Sequence, residues 1–392
     1  MKVLLLSEVF PPRKGGSGRW LWELYRRLPD IETYVVAGEF AGADAFDRDA
    51  ELPIQRLPIY LSHWGVWNLR GAYEYARVLY KIRRVMSRIR PDVIHCGKCL
   101  PEGLIAAVIR RWSAVPFTCY AHGEELTLAR TSAELRWLTA KVLREADLVI
   151  ANSEHTKQLL TRDWKLGEHK IAVMHPGVDT KVFRPAAGDM AVRARLGWTD
   201  RRVVLTVGAL QKRKGQDMLI RALPAIRQQC PDVLFAIAGE GWEQSYLEGL
   251  ARELNVLDLV QFRGIPDEAE LVECYQQCDL FALPNRQVGW DIEGFGIVLL
   301  EAQSCGKAVI AGKSGGTAEA MQADRTGALV ECDTPEGLSR VVTELLQDRE
   351  RAKAMGHHGR DWVVERFDWE VLSRTAMELF TRTEEFASSR AS

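Results

Sequence analysis

Two glutamates bracket a Gly-x-Gly turn in the segment Glu293-Gly294-Phe295-Gly296-Ile297-Val298-Leu299-Leu300-Glu301. Glycine allows positive φ and close approach of backbone N–H groups to a ligand. The helix expected to open at Ile297 starts with unpaired N–H donors and a partial positive charge. A diphosphate fits such a place. Glu293 lies in the turn and Glu301 about one helical turn further on, so the two carboxylates can hydrogen-bond hydroxyls on opposite sides of the phosphates. Sugar, diphosphate and ribose, the layout of a nucleotide-sugar, match that spacing. The plain alternative is a strand-loop-helix join with two surface glutamates.

Other strand ends carry residues of the same kind. Gln211-Lys212-Arg213-Lys214-Gly215 follows the apolar run Val203–Gly208. Its cations suit a diphosphate leaving group, Arg213 as a planar fork and Lys214 as a mobile point charge; a solvated basic turn is the other reading. Ala121-His122-Gly123-Glu124-Glu125 places a histidine where it could reach a substrate or make a structural hydrogen bond. The loop from Ser7 to Trp20 contains Gly15-Gly16-Ser17-Gly18, a second glycine turn before a helix. It lacks the Gly-x-Gly-x-x-Gly spacing of a dinucleotide fingerprint and reads equally as a phosphate or sugar contact at Gly16 or as a tight turn. Asp47-Arg48-Asp49 has the form of a metal-binding D-x-D, but it falls in what reads as a polar loop. Cys96-Gly97-Lys98-Cys99 has redox or zinc spacing without a second matching pair, so two reduced thiols are the default.

These motifs need a scaffold that gathers strand ends. Short β-branched runs alternate with longer amphipathic ones throughout, the pattern of a parallel sheet covered by helices on both faces. The first series of expected strands is Val3–Ser7, Thr33–Ala37, Asp92–Cys96, Phe117–Ala121 and Leu148–Ala151. After the irregular stretch from Met174 to Asp200 a second series follows: Val203–Gly208, Val233–Ala238, Leu259–Arg263, Leu280–Leu283 and Ala308–Ala311. The expectation is therefore an α/β protein of two Rossmann-like doubly wound domains facing across a cleft, at 1–180 and 200–365. A C-terminal helix over 366–392, ending in a polar tail, is expected to pack back on the first domain. At 392 residues the chain is too long for one core, and its net charge of -1 argues against a nucleic-acid partner. The eight scattered cysteines fit reduced thiols in a cytoplasm. No segment reaches the roughly 18 apolar residues of a membrane span.

Taken together, the Gly15-Gly16 loop, His122-Gly123, Leu148–Ala151 leading into Asn152-Ser153, Pro176-Gly177-Val178-Asp179, Arg213-Lys214-Gly215, Gly239-Glu240-Gly241 and the E-x7-E element Glu293 to Glu301 resemble the family-4 retaining glycosyltransferases of the GT-B fold. The resemblance covers nearly the whole chain. Asp291–Gln303 and Gly312–Glu319 look most like the phosphatidylinositol mannosyltransferases and their relatives. The resemblance implies a hexose transfer from a nucleotide diphosphate sugar, GDP-mannose or a UDP-sugar, to a lipid-linked or glycan hydroxyl in cell-envelope synthesis. It implies catalytic roles for His122, Glu293, Arg213 and Lys214. Arg213 and Lys214 would hold the diphosphate, Glu301 the ribose, and Glu293, Gly294 and the Phe295, Gly296, Ile297 and Val298 backbone the transferred sugar. Gly16 would touch the donor, Ile265 the base, and His122 the far hydroxyls of the sugar. No cofactor and no metal are implied, because cations replace the ion and the leaving phosphate itself takes the acceptor proton. One departure stands out: Ala209 occupies a position where many members have an arginine. Either Arg213 and Lys214 carry the phosphate charge alone, or the donor geometry differs.

Residues 61–90 carry Arg70, Arg77, Lys81, Arg83, Arg84, Arg88 and Arg90 against Glu74, a local charge of +6 beside Trp64 and Trp67. Such a stretch suits a phosphorylated acceptor or the anionic inner face of a membrane, with Trp64, Trp67, Arg83, Arg84 and Arg88 as contacts, on an otherwise cytoplasmic enzyme. A solvated helix face with its tryptophans in the core is the alternative. A small soluble acceptor remains open. A GT-B nucleotide-sugar epimerase would lack the E-x7-E layout, a dinucleotide oxidoreductase would want the Gly-x-Gly-x-x-Gly spacing that this chain does not have, and a non-catalytic sugar-binding module would not need the basic diphosphate turn.

Overall fold

The computed structural model describes every residue except Lys14, Ser62, His63 and Ser392, with side chains as far as Thr381. Lys14 of the first glycine loop, Ser62 and His63 of the basic stretch, and the side chains of the polar tail therefore lie outside the described residues. The chain divides into two compact units, Met1–Pro176 with the segment from Trp369 onward, and Gly177–Asp368.

The first unit holds seven parallel strands: β1 (Lys2–Ser7), β2 (Glu32–Gly38), β3 (Ile54–Leu57), β4 (Val93–Cys96), β5 (Phe117–Ala121), β6 (Leu148–Ala151) and β7 (Ile171–Val173), in the order β3-β2-β1-β4-β5-β6-β7. The second holds six: β8 (Arg202–Val207), β9 (Val233–Ala238), β10 (Val260–Phe262), β11 (Leu280–Leu283), β12 (Val309–Gly312) and β13 (Gly327–Val330), in the order β10-β9-β8-β11-β12-β13. Every pairing is parallel; Leu5 lies opposite His95 in one sheet and Leu280 opposite Val204 in the other. Strand order reverses between β1 and β4 and again between β8 and β11. At such a reversal the loops leave toward opposite faces and open a crevice beyond the carboxyl ends of the strands.

The central strands are apolar throughout because helices cover both faces; all residues of β5, β9 and β11 are buried. The sequence pattern missed β3, β7 and β13, all of them edge strands of three or four residues. β3 reads Ile54-Gln55-Arg56-Leu57, with no apolar run to mark it. Asp47-Arg48-Asp49 closes the helix Ala43–Asp49 instead of lying in a loop, and Asp47 pairs with Arg56 of β3 at 2.7 Å, an ordinary structural ion pair.

The stretch expected as an irregular join is part of the second core. Phe183 and Trp198 are fully buried with Val203, Leu205 and Phe281, and the Trp198 indole donates to Gln261 at 2.7 Å. The Arg360 guanidinium ties the segment down by donating to the carbonyls of Thr180, Phe183 and Ser304 at 3.0–3.1 Å. Compactness thus places the boundaries at Gly177 and Trp369, not at 180, 200 and 366. Buried aromatics, not composition, decide where a unit begins. The helix Trp369–Ala391 places Trp369, Leu372, Ala376 and Phe380 in the first unit's core, where the Phe380 ring stacks on Tyr25 with centroids 6.1 Å apart.

Candidate active site

In the second unit the two strands flanking the order reversal deliver the groups singled out above. After β8 the chain runs through Gly208 into the short turn Lys212–Lys214 and closes at Gly215, whose φ of 74° leads into the helix Gln216–Gln229. A Cβ at Gly215 would come within 1.7 Å of the Pro284 carbonyl oxygen, so only glycine lets this turn lie against the end of β11. Arg286 N–H donates to the Arg213 carbonyl at 2.9 Å, and the Arg286 guanidinium takes Asp217 bidentately, both bonds 2.8 Å. The basic turn and the β11 loop are thereby locked together.

Glu293 enters from that loop. Its Oε2 lies 2.6 Å from Arg213 Nη1 and 2.6 Å from Lys214 Nζ, and Arg213 Nε lies 3.0 Å from Asp291 Oδ1. Arg213 and Glu293 are each 8% exposed. Burial by itself would raise the Glu293 carboxyl, but the two cations outweigh it and hold the group below the usual carboxylate range. The Glu293 backbone is clamped from β12: Gly316 N–H donates to its carbonyl, and a Cβ on Gly315 (φ 65°) would come within 1.8 Å of the same oxygen. Gly296, at φ 90°, starts the helix Ile297–Ser304 without a side-chain cap. Phe295 turns its ring into the core, so Gly294 to Val298 can offer a ligand backbone more than side chain. Glu301, one turn into that helix, is 3% exposed and accepts from the Tyr275 hydroxyl at 2.6 Å. Ile265, half exposed, follows β10 at the same carboxyl edge. Arg213, Lys214, Glu293, the Gly294–Val298 backbone, Ile265 and Glu301 thus all belong to one edge of one sheet.

His122 and Gly16 belong to the first unit. Gly16 is exposed and opens the helix Gly16–Tyr25. His122 follows β5, half-buried, with its Nε2 2.7 Å from the Gly97 carbonyl oxygen. A carbonyl only accepts, so Nε2 carries the proton and Nδ1 is the acceptor of the neutral ring. The main chain of His122 is fixed by Glu125, which accepts from its N–H at 2.7 Å, and by Asn152, which donates to its carbonyl at 3.1 Å. Burial first, and the neighbouring Lys98 ammonium after it, bring the imidazole down to about 4 against the opposing effect of the Gly97 bond. Lys98 is itself paired with Glu8 at 2.9 Å, and Glu8 N–H donates to Glu102 at 2.7 Å. Burial pushes the Glu102 carboxyl up to about 8, with the Glu8 charge adding to it.

Sequence reasoning passed over several of these partners. Lys98 was visible only as filler between two cysteines, although a lysine two residues past a strand end was itself a signal. Cys96 and Cys99 are buried, and burial raises the Cys96 thiol, so the pair behaves as core. Among the described residues no cluster of histidine, cysteine or carboxylate could hold a metal ion. Asp291, Tyr275 and the Asp217–Arg286 pair were beyond reach, because nothing in local spacing says which distant side chain will meet the basic turn.

The basic stretch folds as the helix Leu69–Ile89, which buries Tyr75, Val78, Ile82, Val85, Met86 and Ile89 and exposes Arg83, Arg84 and Arg88. Arg84 lies over Tyr80 at 4.7 Å and Arg83 over Trp112 at 6.0 Å, while Trp67, Tyr73, Tyr80 and Trp112 are all more than half exposed. Trp64 departs from the outward role expected of it. It packs against the core, its ring beneath Lys98 and its carbonyl accepting from Tyr75 at 2.9 Å.

Known proteins resemble this chain in sequence and in fold. Residues 14–182 match the family described as Glycosyltransferase Family 4, and residues 191–362 match Glycosyl transferases group 1. The chain is 34% identical over 391 residues to the GDP-mannose-dependent alpha-(1-6)-phosphatidylinositol monomannoside mannosyltransferase of Mycolicibacterium smegmatis, covering 97% of this chain and 98% of the relative. It is 31% identical over 380 residues to the Corynebacterium glutamicum enzyme named for the monoacylated form of that acceptor, 95% of each being covered. Among solved structures, sucrose-phosphate synthase from Thermosynechococcus elongatus superposes with a TM-score of 0.84 at 22% identity, over 99% of this chain and 100% of that one. Anabaena Alr3699/HepE in complex with UDP and glucose gives 0.82 at 22% identity, over 97% and 100%.

The His122 environment has a measurable consequence. Its folded value of about 4 lies below the ordinary 6.5, so between those values the unfolded chain binds more protons than the folded one. His122 therefore subtracts stability as the pH falls through that window and contributes no pH dependence above it. An NMR titration of the ring should show the Nε2–H neutral form through the neutral range and protonation only near pH 4; titration near 6.5 would contradict the desolvated, Gly97-bonded ring.

Proposed function

The chain belongs to the family-4 glycosyltransferases of the GT-B fold, and from that premise we propose that it is a retaining mannosyltransferase that uses GDP-mannose and glycosylates a hydroxyl of a phosphatidylinositol-linked acceptor. The observation that carries this reading is the meeting of Arg213, Lys214 and Glu293 at the β8–β11 reversal, immediately before an uncapped helix start. Relatives named for GDP-mannose and phosphatidylinositol mannoside, aligned over nearly the full chain, favour that donor and acceptor over a UDP-sugar or a small soluble acceptor.

In this reading Arg213, Lys214 and the Gly294–Val298 amides bind the diphosphate, Glu293 the mannosyl hydroxyls and Glu301 the ribose, its carboxylate oriented by Tyr275. Ala209 offers only a methyl group at the position of the usual arginine, so the charge falls to Arg213, Lys214 and the helix start. The anomeric carbon–phosphate oxygen bond breaks while the acceptor oxygen attacks from the same face, and the acceptor proton passes to the departing phosphate oxygen. Negative charge grows on that phosphate and the cations stabilise it without a metal. His122, neutral and presenting Nδ1, accepts from a sugar hydroxyl and orients the ring.

The lipid acceptor gives the helix Leu69–Ile89 a role. The guanidinium groups of Arg83 and Arg84 lie over aromatic faces and the outer surface of the helix is cationic, which suits docking on the anionic inner leaflet, each cation near the surface contributing about 1 kcal/mol. No helix among the described residues is long and apolar enough to cross a membrane, so attachment on this reading is peripheral.

Mannose transfer from GDP-mannose to phosphatidylinositol mannoside should persist in excess EDTA with an α-anomeric product. Lys214→Ala should lower transfer by about 2 to 4 kcal/mol of transition-state stabilisation. Loss of activity in EDTA restored by one divalent ion, or a β product, would refute the mechanism. Co-sedimentation with vesicles should rise with anionic lipid, fall with salt, and weaken in the triple variant Arg83→Glu, Arg84→Glu, Arg88→Glu, while GDP binding is kept. Equal sedimentation with neutral and anionic vesicles would assign the helix a structural role only.

A further inference from the structure

The two cations assigned to the diphosphate are both paired with carboxylates. A single oxygen of Glu293 lies 2.6 Å from both Arg213 Nη1 and Lys214 Nζ, and Asp291 Oδ1 lies 3.0 Å from Arg213 Nε. Two cations against two carboxylates leave this cluster with no net charge. An arriving diphosphate therefore does not meet bare positive charge. It must take Arg213 and Lys214 from Glu293.

We infer that Glu293 is the resting counter-ion of the diphosphate cations and is released to the sugar hydroxyls only when a diphosphate displaces it. This rests on the assignment of Arg213 and Lys214 to the diphosphate and adds an order of events within one site. The exchange costs the cations no bonding, since they trade one pair of charge-assisted bonds for another. The carboxylate, separated from its partners in a buried place, then requires new donors, and the hydroxyls of a hexose provide them. A free hexose carries no charge and cannot open the ion pairs. A nucleoside diphosphate can open them but leaves the carboxylate unmatched. Only the linked nucleotide-sugar does both, so Glu293 acts as a specificity-determining residue that couples recognition of the sugar to recognition of the diphosphate. Depression of the Glu293 carboxyl against the pull of burial agrees with the strength of the resting pairs.

The consequence runs against the usual result of deleting a binding residue. Glu293→Gln keeps the shape and removes the charge, so GDP should bind about tenfold tighter by calorimetry while mannose transfer collapses. Glu293→Asp keeps the charge but withdraws it by one methylene, and it too should bind GDP more tightly than the unsubstituted protein. Lys214→Ala should weaken GDP binding. If Lys214→Ala weakens GDP but Glu293→Gln leaves it unchanged or weaker, the exchange is wrong and the diphosphate assignment stands. If Glu293→Gln tightens GDP and Glu293→Asp does not, Glu293 merely repels the phosphates and the exchange is again overturned. If Lys214→Ala leaves GDP binding unchanged, the diphosphate lies elsewhere and the assignment falls together with the inference.

Discussion

One carboxylate oxygen of Glu293, receiving both Arg213 and Lys214, joins the ends of β8 and β11 across the strand-order reversal. Withdrawing these charges from water costs several kcal/mol per ion, and apolar residues of similar volume would serve stability at least as well. What the ion pairs provide is a preorganised set of charges at a fixed place. Much of the surrounding backbone is shaped to hold them: Gly215 lets the basic turn approach Pro284, Gly315 lets the β12 loop close on the Glu293 carbonyl, and Asp217 with Arg286 locks the two loops together. A catalyst that works by stabilising charge on a leaving phosphate needs this rigidity, because dipoles and cations that must reorganise during the reaction lose their advantage.

The first unit applies the same physics to a neutral group. Burial and the Lys98 ammonium keep His122 uncharged, and the Gly97 carbonyl selects its tautomer. Lys98 is in turn held by Glu8, beside a Glu102 whose carboxyl burial has raised. Each unit thus carries its own chemistry at the carboxyl edge of its own sheet, paired charges around Glu293 in one and a neutral imidazole beside the Lys98–Glu8 pair in the other. The cation-rich helix Leu69–Ile89 is a third, separable element. It buries an apolar stripe and leaves its arginines and aromatics to whatever lies outside.

The central strands were legible because burial on both faces forces an unbroken apolar run; β5, β6, β9 and β11 begin and end where the run does. Edge strands escape that constraint, and β3, β7 and β13 went unseen. The irregular segment from Gly177 to Asp200 was opaque for a related reason: Phe183 and Trp198 anchor it singly, without periodicity. At the site, residues near one another in sequence could be recognised by spacing, as with Glu293 and Glu301. Groups that meet only through the fold could not: Asp291 with Arg213, Tyr275 with Glu301, Lys98 with Glu8. The glycines were visible as glycines, but which carbonyl each one admits was not.

The central claim, that Arg213, Lys214 and the start of the helix Ile297–Ser304 receive the diphosphate of the sugar donor, is tested most directly by a crystal structure of the chain with GDP-mannose. The account predicts phosphate oxygens within hydrogen-bonding distance of Arg213, Lys214 and the Gly294–Val298 amides, with the Glu293 carboxylate turned onto the mannosyl hydroxyls. A diphosphate bound elsewhere, with both Glu293 ion pairs intact, would contradict it.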